Sequence, residues 1–369
     1  MQLVNQTAIA ATISTADHEG VPKRIGLLTA KATFRFDSSG RVGLDTQDPF
    51  PLFIKDVPTP LGDLPSDMQP RADELLEVIL IGHAHAPWQQ PVTALTAALT
   101  VGDVRREIAV FGDRAWVPSP GGQKAISRVA PFVKMPLTYQ RAFGGTVTIN
   151  LDSESPFDLS DTFNRYGLGF DAESMAKNLG ISFKAPKGYP SLPSNYVHRL
   201  PNLENPRALI ARPADAPEPT CWATVPIDAP VWAFRKVKEM ASQPKGKSYP
   251  TKMPEQVPLA VSYRAHPDWV IPIPKTVPKV RMENLLESTR ALEFTLPSLS
   301  VVADYTIGGR QGSRSMLPQM LVLLPDQGRF YIVYRLPFQF DFQPGDERGF
   351  RLRIEQRWFG GTAQDASTS

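Results

Sequence analysis

Cysteine is nearly missing from this chain. One residue of 369, Cys221, is a cysteine. No internal disulfide can form, which suits a reducing compartment. Long apolar runs are missing too: none approaches the roughly 20 residues that cross a bilayer as a helix. The start, Met1-Gln2-Leu3-Val4-Asn5, has neither the basic nor the apolar region of a secretion signal. These gaps set the expectation of a cytoplasmic protein without membrane insertion. An excess of one charge is also lacking. Forty Lys and Arg stand against 37 Asp and Glu, a net +3. The basic residues are scattered, so no nucleic-acid arm is expected.

Motifs for chemistry are equally scarce. Gly246-Lys247-Ser248 has the ending of a phosphate loop, but Ala241 stands where the first glycine belongs. The Gly-x-Ser-x-Gly nucleophile elbow is absent, and Gly308-Gly309-Arg310-Gln311-Gly312-Ser313 reads as a flexible turn. Cys221 has no activating neighbour and reads as a buried, inert thiol.

Proline, by contrast, is plentiful. Its 37 residues are about twice the usual share of roughly 5%. Proline breaks helix interiors, so the expected fold is all-β or β-dominated. It has antiparallel, sandwich-like sheets, long Pro-rich loops and a few short helices. Hairpins are read at Ile25–Phe36 with Arg41–Leu44 around Gly40, and at Val92–Val101 with Val104–Phe111 around Gly102-Asp103. A third is read at Met320–Leu324 with Arg329–Tyr334 around Pro325-Asp326-Gln327-Gly328. Phe330–Tyr334 is apolar on both faces, as a central strand is. Gly349–Trp358 alternates, with Phe350, Leu352 and Ile354 on one face and Arg351, Arg353, Glu355 and Arg357 on the other. Helices are expected at 172–179, 231–240 and 281–291. Pro-rich loops are expected at 48–70, 186–219 and 244–278. The last divides a β-rich core domain, 1–243, from a hairpin-rich part, 279–369, which is either a separate domain or an extension of the same fold.

His83-Ala84-His85 is the best metal candidate, because residues i and i+2 of a strand face the same way. A third ligand would have to come from a distant residue such as Asp113. Asp63, Asp67, Asp73 and Glu74 read as a solvated loop stretch. Trp88, Trp116 and Trp222 are available to stack on sugar rings.

The most specific stretch is Pro131-Phe132-Val133-Lys134-Met135-Pro136-Leu137-Thr138-Tyr139-Gln140-Arg141-Ala142-Phe143-Gly144-Gly145. It resembles the F-x-x-M-P-L-x-Y-x-R-A-F-G-G segment of the domain-of-unknown-function 2169 family. Gly82-His83-Ala84-His85-Ala86-Pro87, Gly112-Asp113-Arg114-Ala115-Trp116 and Leu200-Pro201-Asn202-Leu203-Glu204-Asn205-Pro206 are similar to further elements of that family, in the same order. The resemblance implies a non-enzymatic bacterial adaptor or chaperone of type VI secretion. Such a protein binds a secreted effector toxin and helps load it onto the spike of valine-glycine repeat protein and PAAR tip. No cofactor and no nucleic acid are implied. Strand-edge addition and apolar patches would capture the partner. Asp113, Arg114, Trp116, Met135, Tyr139, Arg141, Phe143, Gly144 and Gly145 are the candidate protein-binding or motif-structural residues. The competing readings are a metal-dependent hydrolase centred on His83 and His85, and a carbohydrate-binding β-sandwich.

Overall fold

A computed structural model describes residues 1–16, 23–69, 74–120, 124–150, 156–161, 163–170, 198–226, 263–307, 309–341 and 348–358. Strands dominate, and each helical element among the described residues is a three-residue turn. None of them is long and apolar enough to cross a membrane. The helices expected at 172–179 and 231–240 lie outside the described residues, as does Gly246-Lys247-Ser248.

The helix expected at 281–291 is overturned. Lys279–Glu283 and Ala291–Thr295 are paired antiparallel strands, and the backbone between them turns through Asn284 at φ 55°. The misreading has a simple cause. Val280 and Met282 point inward while Lys279 and Arg281 point outward, a period of two. Leu285 is buried in the turn, and adding it to Met282 mimics helical spacing.

Three large sheets build the molecule. The seven-stranded sheet runs Val270–Pro272, Leu75–Leu80, Leu317–Leu324, Arg329–Asp341, Lys23–Phe36, Ala10–Ala16, with Val42–Leu44 also paired to Lys23–Phe36. Only the contact of Leu317–Leu324 with Leu75–Leu80 is parallel. The five-stranded sheet runs Leu203–Glu204, Val104–Phe111, Ala94–Val101, Lys279–Glu283, Ala291–Thr295. The four-stranded sheet runs Gln2–Asn5, Arg348–Glu355, Ser300–Ile307, Arg310–Ser315. Strands from both sides of 244–278 therefore share all three.

The expected hairpins form. Gly40, Gly102 and Gly328 take φ of 81°, 57° and 61° at their turns. Phe330–Tyr334 is central and fully buried on both faces. One face of the seven-stranded sheet packs on the inner face of the five-stranded sheet. Phe34 and Phe294 both stack on Phe330, with ring centroids 5.0 and 5.4 Å away, and Phe36 stacks on Phe294 at 5.1 Å. Each such pair adds about 0.5–1.5 kcal/mol beyond its buried area.

The other face of that sheet is polar and yet buried. Thr29, Lys31 and Thr33 alternate with Leu28, Ala30, Ala32 and Phe34, which reads as a solvated face. Instead, the Pro-rich segment 45–69 covers it. Asp67, expected to be solvated, is fully buried, and its carboxylate lies 2.6 Å from Lys31 Nζ. Lys31 also donates to Pro51 O and sits 3.5 Å above the Phe53 ring. Arg335 donates from Nε to Asp67 O at 2.9 Å. Further along, Arg264 pairs with Asp56, while Glu77 accepts from the Arg264 and Ala265 N–H groups. Burial pushes the Lys31 ammonium down to about 8, against the pull of Asp67, and pushes the Asp67 carboxyl up.

Candidate functional site

The segments 111–116, 134–145 and 198–210 converge into one cluster. Gly112 permits the first contact, since a Cβ there would lie 1.7 Å from Ala130 O. The chain then offers Asp113 outward and Arg114 inward. Arg114 makes two contacts. Its guanidinium lies 3.8 Å over the Phe111 ring and pairs with the buried Glu204 carboxylate. The second Glu204 oxygen accepts from Ile210 N–H at 2.8 Å. Burial pushes the Arg114 guanidinium down and the Glu204 carboxyl up. The pair thus joins the turn at 112–116 to the chain at 204–210.

A second, half-exposed layer covers it. Arg141 Nη1 donates to Asp113 Oδ1 at 3.1 Å and to Asn202 Oδ1 at 3.0 Å. Asn202 Nδ2 bridges Asp113 Oδ1 and Phe111 O, while its backbone N–H meets Arg141 O at 2.8 Å. Met135, Tyr139, Phe143 and Trp116 are buried. Gly144 and Gly145 adopt φ of 142° and 132°, and a Cβ on Gly144 would lie 2.0 Å from Asn164 O. Asn164 holds this turn by donating from Nδ2 to Tyr139 O and Phe143 O at 2.7 and 3.0 Å. Asn164, Asn202 and Glu204 complete the cluster. Asn202 and Glu204 stood in the Leu200–Pro206 element; no signal in the sequence marked Asn164.

The two histidines belong to a different place. His83–His85 pairs with Lys134–Pro136, so the first family element lies directly on the longest one. Their shared partner is Asp326, not Asp113, which is engaged by Arg141 and Asn202. His83 Nδ1 and His85 Nε2 lie 2.6 and 3.0 Å from the two Asp326 oxygens. Asp326 comes from the turn after Leu317–Leu324, some 240 residues away in the chain, which is why spacing could not find it. Burial pushes the Asp326 carboxyl up. The hydrogen bonds from His83 and His85 outweigh burial and hold it below the usual carboxylate range. His85, Lys134, Glu287 and Asp326 line a cavity of about 330 Å³. Among the described residues, no group of three or more His, Cys, Asp and Glu side chains is placed to hold a metal ion.

Beside this cavity the backbone is strained. Trp88 and Gln89 have φ of 53° and 56°, and with Asn284 they are the described non-glycine residues at positive φ. Two bonds join these segments: His85 N–H donates to Asn284 O, and the Gln89 amide donates to Glu287. The strained turn leaves Trp88 79% exposed, with half-exposed Val133 next to Ala86 on the neighbouring strand. Trp116 and Trp222 lie in the core. Cys221 is fully buried, donates to Leu137 O, and has its thiol pushed up to about 12 by burial.

A β-dominated, multi-sheet protein emerges, with a buried arginine–carboxylate pin and an exposed aromatic rim. Its class is settled by comparison. The chain belongs to the family described as "Uncharacterized protein conserved in bacteria (DUF2169)", whose model matches residues 22–335. Comparison with curated proteins and with solved structures gives no match.

Proposed function

We propose that this protein is a non-enzymatic adaptor of type VI secretion. It binds an effector toxin stoichiometrically in the bacterial cytoplasm and helps load it onto the spike and PAAR tip. The observation that carries the reading is Trp88. A large indole is held in water by two consecutive residues in left-handed backbone, a conformation that costs about 1–3 kcal/mol per residue. Such strain persists where function selects it, and exposed Trp is the residue type most enriched at binding hot spots. Trp88 directly follows the Gly-His-Ala-His-Ala-Pro element in the chain.

The motif cluster supports the same reading from the inside. Arg114 pairs with Glu204, and Asn164 holds the turn that Gly144 and Gly145 permit. They make the motif cluster rigid, which lowers the entropy lost when a partner docks on it. His83 and His85 direct ring nitrogens to Asp326 and fix the strand that leads into the Trp88 turn.

The test is co-expression with a candidate type VI effector toxin, followed by size-exclusion chromatography. The reading expects one co-eluting complex. It also expects Trp88→Ala to weaken that complex at least about tenfold, as for a hot-spot residue, without shifting the melting temperature. A toxin that never co-elutes, or a Trp88→Ala chain that binds as well as the parent, contradicts it.

A further inference from the structure

The four-stranded sheet ends on Arg310–Ser315. Among the described residues no strand pairs with its outer side. The ladder shows what that side presents. Met316 N–H donates to Val301 O at 2.8 Å, which makes 301 and 316 a hydrogen-bonded pair. Antiparallel pairing alternates every residue, and the register continues through Ala303–Arg314, Tyr305–Gly312 and Ile307–Arg310. The N–H and C=O groups of Gln311, Ser313 and Ser315 therefore point away from the sheet. Arg310, Gln311, Ser313 and Arg314 are exposed, so these backbone groups face solvent.

The charge around this edge is one-sided. The sheet's strands hold Arg310, Arg314, Arg348, Arg351 and Arg353 against Asp304 and Glu355. Both carboxylates are already engaged. Asp304 accepts from Ser313 Oγ at 2.7 Å and Arg353 Nε at 3.2 Å, and Glu355 pairs with Arg353 and Arg357. Arg310 and Arg314 have no ion-pair partner among the described residues, while Arg351 acts on Asp304. A cavity of about 610 Å³, bordered by Gln2, Asp304, Gln311, Ser313 and Arg351, opens on the face opposite Arg310 and Arg314.

We propose that Arg310–Ser315 captures an extended acidic segment of the partner polypeptide, which adds to the sheet as a fifth strand. The inference rests on the adaptor reading and gives it a second contact site. Three arguments select this occupant. An edge presenting alternating donors and acceptors needs a ligand offering both, as a polypeptide backbone does; a nucleic-acid backbone offers acceptors. A second copy of this edge is disfavoured, because antiparallel self-pairing can set Arg310 opposite Arg314, and like charges directly opposite destabilise a pair. Arg310 and Arg314 lie on one face of the strand, where they attract carboxylates on the same face of an added strand.

The test uses the full chain and two labelled peptide pools of about ten residues, the length of a long edge strand. One pool alternates Val, Ile and Thr with Asp, Glu and Ser; the other replaces Asp and Glu with Lys and Arg. Fluorescence anisotropy should show the acidic pool binding, more weakly as salt rises, and the basic pool not binding. Gln311→Pro and Ser315→Pro each remove an outward N–H and leave the inner ladder whole, as Pro tolerates at an edge. Each should weaken binding about tenfold with an unchanged melting temperature, and Arg310→Glu with Arg314→Glu should do the same. Absence of acidic-pool binding overturns the proposal, as does equal binding by both Pro variants or preference for a single-stranded RNA probe. If the peptides fail while the toxin still co-elutes, the edge falls and the adaptor stands. If the peptides bind but the toxin never does, the reverse holds.

Discussion

At the scale of the residue, the two arginines of the motif cluster have different jobs. Arg114 and Glu204 are both buried, so Arg114→Ala leaves a carboxylate with no countercharge. A loss of about 3–5 kcal/mol follows, read by urea denaturation. Arg141 and Asp113 are partly exposed. Arg141→Ala should cost about 1 kcal/mol or less and leave the fold intact. Lys31 and Asp67 follow the same logic: Lys31→Met alone should destabilise strongly, and Asp67→Asn added to it should recover part of the loss. Asp326 carries a pH signature. Its folded carboxyl titrates below its unfolded one, so its stabilisation is complete above the unfolded value of about 3.9. That stabilisation is lost as pH falls through the lower, folded value. Asp326→Asn should cost about 1.5–3 kcal/mol at neutral pH, and the gap from the parent should close in strong acid. The sequence marked Asp113, Arg114 and Arg141, since they sit in a recognisable element. It could not pair them with Asn202 and Glu204, or His83 with Asp326, because those contacts join residues about 60 to 240 positions apart.

At the scale of the element, turn chemistry was the legible part. Gly102 and Gly328 are where tight hairpins need positive φ, and their strands form in register. Two glycines with different surroundings should respond differently to alanine. At Gly328 the added Cβ meets only Phe36 O, at 3.2 Å, so the cost is about 1 kcal/mol from backbone strain. At Gly144 it would sit 2.0 Å from Asn164 O, forcing the turn open at a cost of about 3 kcal/mol or more. Urea midpoints of the two variants would show the contrast. What misled at this scale was burial. Met282 and Leu285 look helical because a strand residue and a turn residue both reach the core. Lys31 and Asp67 look solvated because alternation cannot reveal that a Pro-rich loop lies over the polar face.

At the scale of the whole molecule, the Pro-rich stretch 244–278 links strands that share sheets. Lys279–Glu283 hydrogen bonds to Ala94–Val101, and Arg329–Asp341 to Lys23–Phe36. A fragment of residues 279–369 would expose both partner edges, so it should be aggregated or unfolded when made alone, as circular dichroism and light scattering would reveal. The β-dominated class was readable from proline content and hairpin signals, whereas the sharing of sheets was not, because topology is set by long-range pairing. The four-stranded sheet ends on a basic edge at Arg310–Ser315, and Trp88 stands exposed beyond the His83–His85 strand; the proposed adaptor role uses both surfaces. Light scattering of the purified toxin mixed with this protein tests that most directly. The account predicts a single species whose mass is that of the two chains combined, with no substrate consumed. A 40.8 kDa species that stays alone beside its toxin would contradict it.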